Sequence, residues 1–128
     1  MNPARRLSMI IAAAGLVLSA QAFAHPKVVS TSPVDRTTVA NVGKVTLSFS
    51  EPLIAALSGL EVVMTGMPGT DNHSAMKVNG VRVSVAPDGK TLVASLARPL
   101  PAGSYEAVWH AVSTDTHRVT GKLTFTVK

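Results

Sequence analysis

The sequence predicts an all-β fold, an immunoglobulin-like or Greek-key sandwich. Three observations lead there. Apolar residues recur at every second position in several short stretches, turn residues separate those stretches, and no convincing amphipathic helix is present. Side chains of a strand point alternately to opposite faces, so a period of two marks a strip with one buried and one wet side.

In chain order, Lys27 to Thr31 supplies the first strand. Val45, Leu47 and Phe49 alternate with Thr46, Ser48 and Ser50, a half-buried strand. Pro52 to Ser58 has room for one helical turn, and Leu60 to Met64 forms the next strand. Val81, Val83 and Val85 mark a strand over Val81 to Ala86. Pro87-Asp88-Gly89-Lys90 then turns the chain, because proline presets φ and glycine accepts a positive one. Thr91 to Leu96, Ser104 to Val112 and Lys122 to Val127 complete the set, the last with Leu123, Phe125 and Val127 on one face. About seven strands in roughly a hundred residues is the density of a sandwich. Leu100-Pro101-Ala102-Gly103-Ser104-Tyr105 has the form of a tyrosine corner, in which the phenol bonds back to upstream backbone. Tyr105 and Trp109 are four apart on one strand and share a face, which makes Trp109 the core plug; His110 faces the other way, as a structural histidine.

The first 24 residues have another purpose. Arg5 and Arg6 form a positive start, Leu7 to Ala20 an apolar run, and Ala22-Phe23-Ala24 a small-residue cleavage pattern. This is a secretory signal peptide, too short and wrongly flanked for a stable membrane span. Cleavage after Ala24 leaves residues 25–128 as one exported domain beginning His25-Pro26-Lys27.

The formal charge of +5 includes Arg5 and Arg6 of the leader, and the remaining basic residues are dispersed singly. Without a run or cluster of like charge, nucleic-acid binding gains no support. Cysteine is absent, so stability must come from an ordinary core, and any soft-metal site must use thioether sulfur and imidazole.

Beyond the leader, methionine occurs only at Met64, Met67 and Met76, with His73 among them. Gly66, Pro68 and Gly69 make this stretch a loop, and its methionines do not follow strand or helix spacing. Thioether sulfur is a soft neutral donor suited to Cu(I); the competing reading is gap-filling in the core, to which Met64, at a strand end, is best placed.

An N-terminal histidine offers two nitrogen donors, the α-amine and ring Nδ1, a chelate that favours Cu(II). The amine titrates at about 8, so copper competes there with a proton. Pro26 has no N–H, which discourages wrapping of the metal by successive amide nitrogens. Asp115 and His117 are two apart and, if extended, present a carboxylate and an imidazole on one face. Glu51 is a candidate outer or axial oxygen. The competing reading of Asp115-Thr116-His117 is a solvated polar loop.

These stretches, in this order, resemble the CopC/PcoC family of periplasmic copper-resistance proteins. The resemblance rests on His25-Pro26-Lys27-Val28-Val29-Ser30-Thr31-Ser32-Pro33, Leu47-Ser48-Phe49-Ser50-Glu51, Val63-Met64-Thr65-Gly66-Met67-Pro68-Gly69, Leu100-Pro101-Ala102-Gly103-Ser104-Tyr105 and Val112-Ser113-Thr114-Asp115-Thr116-His117. It implies a seven-stranded Greek-key β-sandwich or barrel of cupredoxin-like appearance. It also implies Cu(II) held by His25, Asp115 and His117 with Glu51 nearby, and Cu(I) held by Met64, Met67, His73 and Met76. Thr70 stands where the richest loops carry another methionine, so fewer sulfur donors are expected. A cysteine ligand of the blue-copper kind is absent, so no electron-transfer site is expected.

The expected function is therefore a non-catalytic copper carrier that delivers to a membrane copper importer or an outer-membrane copper-handling partner. A terminal histidine with a second histidine also resembles the copper brace of lytic polysaccharide monooxygenases. One Trp and one Tyr are too few for an aromatic sugar-binding face, and a methionine loop has no purpose in that chemistry. A third reading is a metal-free interaction module.

Overall fold

The computed structural model describes residues 25–67 and 74–128. The leader, residues 1–24, and His73 with Thr70 lie outside the described residues. Two sheets face each other. The first has the order β1 (Val28–Ser32), β3 (Lys44–Phe49), β7 (Thr91–Leu96), β6 (Val81–Val85), all antiparallel. The second has the order β2 (Thr37–Val39), β9 (Arg118–Val127), β8 (Gly103–Val112), β4 (Gly59–Gly66), β5 (Met76–Lys77), antiparallel except for the β2–β9 pair. The chain changes sheet after β1, β2, β3, β5 and β7. Among the described residues no helix is long and apolar enough to cross a membrane. The expected helical turn appears as one 3₁₀ turn, Ala55–Leu57.

All seven expected strands are present, and two short ones join them. β2 and β5 are edge strands of three and two residues, too brief to show a period of their own. β9 begins at Arg118, four residues before the expected start. Its first half alternates between exposed and half-buried, so it lacks the apolar contrast of Leu123, Phe125 and Val127.

The inner faces follow the period of two. Val45, Leu47 and Phe49 of β3 meet Leu92 and Ala94 of β7 and, from the other sheet, Leu60, Val62, Tyr105, Ala107, Trp109, Leu123 and Phe125. Burying each large apolar side chain contributes roughly 1.5–3 kcal/mol, which is how a domain without disulfides holds together. Trp109 is the plug its position implied. Its ring meets Phe49 edge to face at 5.2 Å and lies over Gly121, its partner on β9. A Cβ at Gly121 would come within 2.5 Å of the indole, so only glycine leaves room there. The tyrosine corner is also present: the Tyr105 hydroxyl donates to the Pro101 carbonyl at 2.6 Å.

β8 sets the long dimension. Ten residues at the strand rise place Gly103 and Val112 roughly 30 Å apart. The two candidate metal regions sit at its opposite ends.

Candidate metal centre

At the Val112 end, three segments converge. Lys27 N–H donates to the Ser50 hydroxyl at 2.9 Å, and Ser50 N–H donates to the Lys27 carbonyl at 2.8 Å. These bonds, with Pro26 buried, anchor the chain two residues after His25 against the end of β3. Glu51, half-buried, follows Ser50 directly and so belongs to the same end. The β8–β9 connection is tied to the next stretch of that segment: Ser113 bridges Leu53, Ile54 N–H donates to the Val112 carbonyl at 2.8 Å, and Thr114 N–H donates to the Pro52 carbonyl at 3.1 Å.

This bracing brings His25 to His117, with ring centroids 4.7 Å apart and planes at 67°. His117 Nδ1 lies 3.0 Å from Asp115 Oδ2, and His117 N–H donates to Asp115 Oδ1 at 3.2 Å. The Ser113 hydroxyl donates to Asp115 Oδ1. The hydroxyl and the His117 ring lower the Asp115 pKa to about 2, so it is an acceptor only at neutral pH. Nδ1 of His117 then carries the proton, and Nε2 is the nitrogen with a lone pair for a metal.

Asp115 and His117 do share a face, but not by strand alternation as expected. Residues 113–117 form a tight turn, with Thr116 N–H donating to the Ser113 carbonyl at 2.8 Å and Ser113 N–H to the His117 carbonyl at 3.0 Å. Thr116 adopts φ of 73°, a left-handed conformation costly for a β-branched residue. Hydrogen bonds within the turn, rather than the pleat, hold the acid and imidazole together. Sequence reasoning passed over Ser113, which is fully buried. The available signal was a serine at the end of an apolar strand, two residues before an aspartate, where it can satisfy turn backbone and carboxylate alike.

Among the described residues no three His, Cys, Asp or Glu side chains are arranged to hold a metal ion by themselves. The side chains present nevertheless suit a borderline cation: two imidazoles in contact and an ionised carboxylate bonded to one of them. A further nitrogen, the His25 α-amine, exists only once the Ala24–His25 peptide is cut.

The methionines lie at the other end. Met64 is opposite Tyr105 on β8 and opposite Met76 on β5. It is buried on the inward-facing positions of β4, as its place at a strand end implied for this methionine, and β4 runs two residues further than expected, to Gly66. Met67 and Met76 are each 47% exposed. Soft donors are thus offered to solvent by Met67 and Met76, with Met64 behind them.

A small sandwich carrying an imidazole–carboxylate pair at one end and exposed thioethers at the other has the donor chemistry of a metal-binding β-domain. Residues 28–128 match the CopC domain model. The chain is 49% identical to copper resistance protein C of Pseudomonas syringae pv. tomato, over 91% of this chain and 90% of the relative. It is 44% identical to copper resistance protein C of Escherichia coli, over 95% and 98%. The crystal structure of PcoC, a methionine-rich copper resistance protein from Escherichia coli, superposes with a TM-score of 0.74 at 45% identity, covering 82% of this chain and all of that one. CopC from Methylosinus trichosporium OB3b gives 0.65 at 27% identity, covering 81% and 94%. This chain belongs to the CopC family.

Proposed function

We propose that this protein binds copper in the periplasm and carries it between partners, without catalysis. The observation that carries the reading is the meeting of His25 and His117 at 4.7 Å, with Asp115 bonded to the second ring. After removal of residues 1–24, the His25 amine and Nδ1, the His117 ring and the Asp115 carboxylate form a nitrogen-rich set suited to Cu(II), with Glu51 supplying a further oxygen from the adjoining segment. Met67, Met76 and His73, backed by Met64, form a softer set suited to Cu(I).

Met64 lies opposite Tyr105, and Asp115 comes soon after the last residue of β8, so these two candidates stand near opposite ends of that strand. Such a carrier exchanges copper with a membrane importer or an outer-membrane partner.

The test is calorimetric titration of Cu(II) into protein beginning at His25 and into protein retaining one residue before it. The processed form takes up one Cu(II) tightly and the extended form loses most of that affinity. Equal binding by both forms would remove the His25 amine from the site, and no heat with either would leave a metal-free interaction module.

A further inference from the structure

Ser113 is a polar side chain with no exposure to solvent. A hydroxyl so placed is costly unless it is bonded, and this one is directed at the acid of the candidate site. We infer that Ser113 is the positioning residue of the Cu(II) end, acting through Asp115 to set where the His117 imidazole points. This rests on the copper-binding reading above and concerns a residue that contacts no metal in it.

The geometry forms one chain of contacts. Ser113 Oγ donates to Asp115 Oδ1, and Asp115 Oδ2 meets His117 Nδ1 at 3.0 Å. With one carboxylate oxygen held by the hydroxyl and by the His117 N–H at 3.2 Å, the other is aimed at the ring, and the ring cannot rotate without breaking that bond. The base of the chain is itself rigid. Ser113 N–H bonds the His117 carbonyl at 3.0 Å, and Ser113 bridges Leu53. Just before it, Val112 N–H donates to the Ser58 hydroxyl at 3.0 Å. The hydroxyl is thus fixed to the sandwich, while the side chains of Asp115 and His117 are 28% and 37% exposed. Loss of the hydroxyl leaves the fold in place, because water can reach the partly exposed Asp115, but leaves the acid–imidazole pair to sample other rotamers. Partners of this kind beyond the ligands characteristically alter metal affinity by about 10–100-fold.

The test uses protein beginning at His25, as wild type, Ser113→Ala and Ser113→Thr. Each is measured for Cu(II) affinity by chelator competition, for Cu(I) affinity, for melting without copper, and by electron paramagnetic resonance with one Cu(II). Ser113→Ala is expected to weaken Cu(II) about ten-fold, to change the Cu(II) spectrum, and to leave Cu(I) affinity and folding intact. Ser113→Thr, which keeps a hydroxyl on the same carbon, restores affinity and spectrum. An alanine variant with wild-type affinity and spectrum overturns the inference, as do a threonine variant no better than alanine and a parallel loss of Cu(I) and Cu(II). Failure of the wild type itself to bind Cu(II) would sink the copper reading instead, so the two failures are distinguishable.

Discussion

Met64 and Met76 are directly opposed across β4 and β5, yet Met64 is 9% exposed and Met76 is 47% exposed. Two residues of the same type, brought together by one strand pair, have therefore been given different work. Met64 closes the core near the end of β4, and its methyl lies where a side chain on Gly103 would have to go. Met76 is left largely open to solvent.

Substitution should separate these roles. Met64→Ala is expected to destabilise the copper-free protein by about 2–5 kcal/mol, the usual range for emptying a buried methionine site. Met76→Ser should change stability by no more than about 0.5 kcal/mol while weakening Cu(I). Urea unfolding and competition with a chromophoric Cu(I) chelator read the two effects. Equal destabilisation by both variants would contradict the division.

Gly121 is required by Trp109. Placing alanine there pushes a carbon into the indole, and overpacking of this kind costs about 1–3 kcal/mol. Near-ultraviolet circular dichroism should lose intensity from the single Trp, since its contact with Phe49 is set by the same seat.

The Tyr105 corner predicts a smaller effect. Tyr105→Phe removes the bond to the Pro101 carbonyl and should cost about 1 kcal/mol in denaturant unfolding. Cu(II) affinity should be unchanged, because Tyr105 lies at the opposite end of β8 from Ser113.

Acid should act through aspartates that the fold holds ionised. Asp35 accepts from the Thr124 backbone and hydroxyl, and chiefly the backbone bond lowers its pKa below 3.8. A depressed folded pKa stabilises the protein above the unfolded value, and the contribution disappears as pH falls through the folded one. Asp35→Ala should therefore melt below wild type at pH 7, and the gap should close as pH drops below 3.8. A gap that is constant across this range would show that the carboxylate charge is not the cause.

Much of this architecture was legible in advance because it depends on short-range pattern. The alternation of Val45, Leu47 and Phe49, the turn at Pro87 to Lys90 and the tyrosine corner each report local preferences that the tertiary structure reinforces. β2 and β5 were not legible. Thr37–Val39 and Met76–Lys77 become strands only because β9 and β4 offer them unpaired edges. The Asp115–His117 pair was named from its spacing, but the expected extended geometry was replaced by a turn whose shape depends on the buried Ser113.

The sequence alone determined the class of fold, the family resemblance and the chemical types of donor available, since each of these resides in residue identity and local order. Tertiary structure decided which donors meet. His25 reaches His117 because the first sheet carries the start of β1 to the end of β3, and the segment after β3 is hydrogen-bonded to the turn that follows β8. Met64 was drawn inward by a core with space for it, and it was placed at the opposite end of β8 from the Asp115–His117 turn. Contacts between residues far apart in the chain follow from sheet pairing and core packing, and those are properties of the whole fold.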